Sequence, residues 1–196
     1  MKMFKETELK VLSSFFPEGR EVTLKQIKEK TGLSYEPIYR NIKELEKKKV
    51  ILCKKFGKTL VYSLNFEKEE ANTAFFFYSK KRLKEFSRKY SVIFNALSRI
   101  NNEGVDFLAV FGSYAKDNPT KKSDVDILCV SDNKKENEQE LKSLRYATNL
   151  EFSPVVLSKS EFKKIKKEND VFWNDLVKFG IIFKGYELFY SEAYLK

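Results

Sequence analysis

Histidine is absent from the 196-residue chain, and cysteine occurs twice. Without histidine there is no Ser-His-Asp or Cys-His catalysis and no histidine-containing zinc site. Cys53 and Cys129 lie far apart on stretches predicted as strands. They read as buried thiols rather than a disulfide or a metal pair. There is no long apolar run, and Met1-Lys-Met-Phe-Lys5 turns charged at once, unlike a signal peptide. No membrane partner and a cytoplasmic location are therefore expected. Walker A and dinucleotide glycine motifs are also missing. Chemistry in this chain must run on carboxylates, lysines and an added metal.

What is present is enough apolar material for real cores and an uneven distribution of charge. The hydrophobic fraction is 42%, with 18 Phe and 10 Tyr, and the net charge is +10. Residues 1–66 carry 15 Lys/Arg against 8 Asp/Glu, whereas residues 101–196 carry 15 against 16. A basic first third beside a near-neutral remainder points to a polyanion bound by the first third.

The pattern of that third predicts three helices and a hairpin. Leu9, Leu12 and Phe16 recur at helical spacing from Glu6, ended by Pro17-Glu-Gly19. Thr23 is suited to cap a second helix closed by Gly32, and Ser34 to cap a third with Ile38, Ile42 and Leu45 inward. Val50–Leu52 and Thr59–Leu64 read as short strands joined across Lys54–Lys58. Three helices followed by a basic hairpin describe a winged helix-turn-helix, and Thr23–Glu46 resembles winged-helix transcription regulators. That resemblance implies double-stranded DNA as partner. Tyr35, Glu36, Tyr39, Arg40 and Lys43 would face the major groove, and Lys54, Lys55 and Lys58 would contact phosphate.

Leu83, Phe86, Tyr90, Ile93, Leu97 and Ile100 follow a 3-4-3-4-3 spacing, one apolar seam on a predicted helix. Phe75-Phe-Phe-Tyr78 precedes it as an aromatic cluster. The seam packs on a sheet or forms a dimer interface. A mixture is favoured, with the cluster at a subunit or domain contact and a homodimer expected.

The richest stretch runs from Phe111 to Val130. An apolar run ends at Gly112-Ser113, a tight turn suited to an anion. A second apolar run then carries Asp124 and Asp126, two positions apart and so on one strand face. Two close carboxylates repel unless a cation lies between them, and hard divalent ions such as magnesium prefer such oxygens. Gly112, Ser113, Ala115, Asp124 and Asp126 resemble the minimal branch of the nucleotidyltransferase superfamily of the DNA polymerase β type, over roughly residues 85–190.

The resemblance implies that the Gly-Ser turn holds a nucleoside triphosphate, that Asp124 and Asp126 bind magnesium, and that Lys116 is a countercharge. Asp117 stands where the family usually has glycine, and Ser153 where it has a third carboxylate. Glu151, two residues earlier, is the candidate to supply that acid. Further helices are expected over 137–150, 158–168 and 170–179, with strands at 152–157 and 181–183.

The fold class expected is α/β (α+β): a winged helix over 1–66, a helical linker or dimerisation segment over 67–102, and a mixed-sheet nucleotidyltransferase domain over 103–196. The function expected is a DNA-binding protein that binds triphosphate with magnesium and transfers a nucleotidyl group. The alternative is a transcription regulator whose degenerate transferase domain senses nucleotide or serves as a dimer platform. By analogy with the family, an antitoxin that nucleotidylates a partner toxin is a variant of the first.

Overall fold

The computed structural model describes residues 4–17, 21–100 and 104–195 of a mixed α/β chain. The chain divides into two compact units, residues 1–78 with 194–196, and residues 79–193.

In the first unit, helices α1 (Glu6–Ser13), α2 (Leu24–Thr31) and α3 (Tyr35–Lys47) precede strands β1 (Ile51–Phe56) and β2 (Thr59–Leu64). Helix α1 stops three residues short of the expected Phe16, and residues 18 and 19 of the expected turn lie outside the described residues. Thr23 caps α2 by accepting from the Gln26 amide, and Gly32 ends it at φ +67°. Ser34 occupies the cap position of α3 but makes no side-chain capping bond, contrary to expectation. Val11, Leu12, Ile27, Ile38, Ile42 and Leu45 are fully buried, and the inward stripe of α3 was readable from its i, i+4, i+7 spacing.

The hairpin is longer than the sequence suggested. β1 and β2 pair antiparallel from Ile51↔Leu64 to Phe56↔Thr59, so Lys54 and Lys55 lie within a strand and Gly57-Lys58 form the turn. Pairing satisfies backbone groups that a five-residue loop would leave to water. Cys53 is half-buried rather than buried, and its cross-strand partner Tyr62 is fully enclosed.

Helix α4 (Glu69–Lys89) contributes its first half to this unit. There Phe75 packs edge-on against Phe16 and Tyr194, at 5.4 and 5.5 Å between ring centres, whereas Phe76 is exposed. The aromatic cluster is thus one buried ring and a graded set around it, as a helix turning past a core requires.

The second unit is built on a four-stranded sheet of order β5-β4-β3-β6, from β3 (Val105–Val110), β4 (Val125–Ser131), β5 (Phe152–Leu157) and β6 (Ile181–Lys184). β3 runs antiparallel to β4 and β6, and β4 parallel to β5. The two central strands are almost continuously apolar because both faces are covered. On one face Leu108, Val110, Ile127 and Cys129 join the seam residues Leu83, Phe86, Ile93, Leu97 and Ile100 in a single core. On the other, Phe107 stacks between Phe162 and Phe189, which in turn meet Trp173. These rings come from α9 (Lys159–Glu168), α10 (Asp170–Phe179) and α11 (Tyr186–Tyr190).

Two expectations are corrected here. The seam is not one helix: the chain bends at Tyr90 and resumes as α5 (Ser91–Leu97). Its side chains are buried in this unit's own core, so the seam itself offers no apolar face to a second copy. The segment 137–150 is two helices, α7 (Lys134–Ser143) and α8 (Arg145–Thr148), and Tyr146 is 77% exposed. No helix of the described residues is long and apolar enough to cross a membrane.

The Tyr62 hydroxyl is buried without a hydrogen-bond partner among the described residues, and burial pushes its pKa up to about 12. An unpaired buried hydroxyl costs stability, and phenylalanine removes it without changing the ring. Tyr62→Phe is expected to leave the unfolding free energy unchanged or raise it by up to ~1 kcal/mol, measured by urea titration with circular dichroism.

Candidate functional site

The end of β3 is followed by a turn at which any residue larger than glycine would have to displace the Asp126 carboxylate. Phe111 donates its backbone N–H to the Asp126 carbonyl at 3.0 Å, tying the turn to the start of β4. Gly112 then adopts φ +67°, and a Cβ placed on it would stand 2.0 Å from Asp126 Oδ2. Both the left-handed backbone and the contact demand glycine. The short helix α6 (Gly112–Ala115) starts at this point, with Tyr114 and Ala115 buried beneath it and Ser113 half-buried.

Asp124 precedes β4 and Asp126 is its second residue, so the alternation expected for the pair is present. Asp124 is exposed and Asp126 half-buried. Burial, followed by the Asp124 charge, raises the Asp126 pKa above its ordinary 3.8. Ser153 stands opposite Asp126 in the parallel β4–β5 register and donates its hydroxyl to Asp124 Oδ2 at 3.0 Å. Ser153, expected at the place of the family's third carboxylate, thus contacts Asp124 through its hydroxyl.

Glu151 immediately precedes β5. Its backbone carbonyl accepts from Val125, but its exposed carboxylate lies 3.9 Å from Arg145. Lys116 is likewise engaged elsewhere, in an ion pair with Asp175 on α10 and 5.4 Å from the centre of the Phe179 ring.

Asp117 explains its own departure from the family pattern. It takes φ +63°, a conformation glycine adopts freely and aspartate tolerates. Its carboxylate accepts from Lys89 and, at 2.7 Å, from the Tyr90 hydroxyl, and Lys89 holds it below the ordinary aspartate range. Tyr90 also meets Tyr114 edge-on at 5.2 Å. The turn after the Gly-Ser pair is in this way tied to the bend between α4 and α5. The sequence signal for Asp117 was its place two residues after Ala115. No sequence signal pointed to Asp175 or Lys89, whose roles depend on which helices the fold brings together.

The donor set fits one hard divalent cation: two carboxylates with a neighbouring hydroxyl, leaving positions for water and phosphate. It does not complete a three-carboxylate centre. Among the described residues no group of three or more His, Cys, Asp or Glu side chains converges to hold a metal.

In the first unit, Tyr35 and Tyr39 are 58% and 41% exposed on α3 and stack on each other at 5.7 Å. Lys43 lies over the Tyr39 ring and pairs with Glu46 at 2.8 Å, while Arg40 pairs with Glu36. Such exposed pairs within a helix contribute little to stability and exchange readily for other anions. Lys54, Lys55 and Lys58 are exposed along the hairpin.

Residues 90–184 match the family described as nucleotidyltransferase domain. This stretch lies wholly inside the second unit and contains every residue of the Gly112–Asp126 site. No curated protein matches the chain. Among solved structures, the crystal structure of AF1382 from Archaeoglobus fulgidus shares 25% identity over 37% of this chain and 80% of its own. Its TM-score is 0.32, which bears on neither fold nor function here.

The Asp126 environment sets a pH dependence. A carboxyl whose folded pKa is raised costs nothing where it is protonated in both states. It destabilises increasingly as pH rises from the unfolded value through the folded one. The stability of Asp126→Asn relative to the natural chain is therefore expected to increase as pH rises above 3.8. Urea titrations followed by fluorescence of Trp173, buried in the same unit, measure this. A gap that is constant or shrinks with pH would contradict the assigned environment.

Proposed function

We propose that the protein binds a nucleoside triphosphate with magnesium at the Gly112–Ser113 turn and the Asp124–Asp126 pair, and transfers its nucleotidyl group to an acceptor. The contact that leaves no room for a Cβ between Gly112 and Asp126 carries this reading, supported by the family match over residues 90–184. In this reading the backbone amides of the turn and the Ser113 hydroxyl hold phosphate beside two hard oxygen donors. Bound magnesium would neutralise phosphate charge and orient the triphosphate. In transfer, the acceptor oxygen bonds to the α-phosphorus, the α–β anhydride bond breaks with pyrophosphate as leaving group, and the acceptor proton passes to solvent or a carboxylate. Asp124 and Asp126 supply the negative charge facing the nucleotide complex.

A second reading is a nucleotide sensor without turnover, and a specific observation favours it: Ser153 replaces the third carboxylate and Glu151 faces Arg145. For the first unit we infer a winged helix that binds double-stranded DNA. The order of its elements, the exposed tyrosines of α3 and the lysines of the hairpin support that reading.

Asp124→Asn or Asp126→Asn is expected to abolish magnesium-dependent ATP binding, measured by calorimetry, while duplex binding is unchanged. With α-labelled ATP, Glu151→Gln should alter label transfer by less than about threefold; a loss of ~10²-fold would place Glu151 at the reacting centre. Nucleotide binding without transfer to any acceptor would decide for the sensor.

DNA binding should be steeply salt-dependent. Removing Lys54, Lys55 or Lys58 is each expected to lower the slope of log K against log salt by ~1. Unchanged slopes in all three variants would refute the hairpin as a phosphate contact.

A further inference from the structure

The hairpin ends in an exposed ring. Phe56 is the last residue of β1, paired with Thr59 across the Gly57-Lys58 turn, and 56% of it is exposed. It makes no ring contact among the described residues, whereas Phe15, Phe16 and Phe75 of the same unit are buried. Leaving a phenyl ring at a strand end gains nothing in folding, because its apolar area stays in water.

The surroundings of this ring define its partner. Residues 47–66 contain six lysines and no acidic residue. By strand alternation Lys54 shares the face of Phe56, Lys55 and Leu60 lie opposite each other on the reverse face, and Lys58 sits in the turn. A second copy of this chain carries the same net charge of +10 and is repelled. The complementary object is a polyanion whose interior presents flat apolar surfaces, which describes stacked base pairs behind two phosphate strands.

We propose that Phe56 is a wedge that inserts at a base step of double-stranded DNA, with Lys54, Lys55 and Lys58 on the phosphates either side. The inference rests on the reading of the first unit as a duplex-binding domain and adds what its hairpin does there. An apolar wedge partly unstacks the step and bends the duplex. Pyrimidine–purine steps yield most easily, so the wedge confers a sequence preference that needs no hydrogen bond to a base edge.

The test uses the full chain and a mixed-sequence duplex with a fluorescent base analogue beside a TA step and a donor–acceptor dye pair at its ends. The natural protein should raise the analogue's fluorescence and shorten the end-to-end distance. Phe56→Ala should lose both signals and bind about tenfold more weakly at an unchanged salt slope, whereas Phe56→Leu should retain them. Lys55→Ala should keep the fluorescence signal and lower the salt slope by ~1. If the natural chain binds duplex but gives no unstacking signal, or Phe56→Ala behaves like it, the wedge is overturned and the DNA reading stands. Tighter binding to single strands than to duplex also overturns the wedge. If no duplex binds at any salt concentration, the DNA reading itself fails, and the wedge with it.

Discussion

The second unit depends on a missing Cβ. Gly112 lies so close to the Asp126 carboxylate that any side chain would occupy the oxygen's place, and its backbone is in the region open to glycine. That contact presses a tight turn against a half-buried acid. A cost is accepted here, a carboxylate whose charged form burial disfavours. It does not help the chain fold. Structures tolerate such a cost where the surrounding packing imposes it, and here the continuously apolar strands β3 and β4 hold both ends of the turn.

The packing that imposes the site is unevenly shared between the two faces of the sheet. One face is covered by seam residues from α4 and α5, Phe86 among them, and the other by the rings Phe107, Phe162, Trp173 and Phe189. Side-chain alternation along β4 puts Leu128 and Val130 on the ring-covered face, and Asp126 on that same face at the strand's open end. The carboxylate pair thus stands where the aromatic layer stops, reached by solvent at Asp124 and screened from it at Asp126.

The ions around this site are organised by tethering rather than by strength. Lys116 with Asp175, and Lys89 with Asp117, are exposed pairs of the kind that add little stability in water. What they do is fix direction. Each joins the helix or turn after Gly112 to a different neighbouring helix, so the turn is held from two sides. The exposed charges of the first unit are different in kind, with side chains such as Arg40 and Lys43 paired locally on α3.

The local patterns were legible because they follow from periodicity and from the properties of single residues. The 3.6-residue stripe of α3, the Thr23 and Gly32 caps, the apolar strands and the Gly-Ser turn before an alternating aspartate pair each need a few adjacent positions. What depended on tertiary structure lay beyond that range. Lys54 and Lys55 became strand residues because a partner strand was available to pair them. The seam split at Tyr90, whose hydroxyl reaches Asp117, a residue 27 positions away. Glu151 has the alternation of a third ligand in sequence, and its carboxylate lies 3.9 Å from Arg145, on a helix no local pattern could place. Ser153 reaches Asp124 because parallel pairing of β4 and β5 sets it opposite Asp126. Sequence by itself determined which residues are candidates for the chemistry; the register of neighbouring strands decided which of them meet, because register is a property of two segments and not of one.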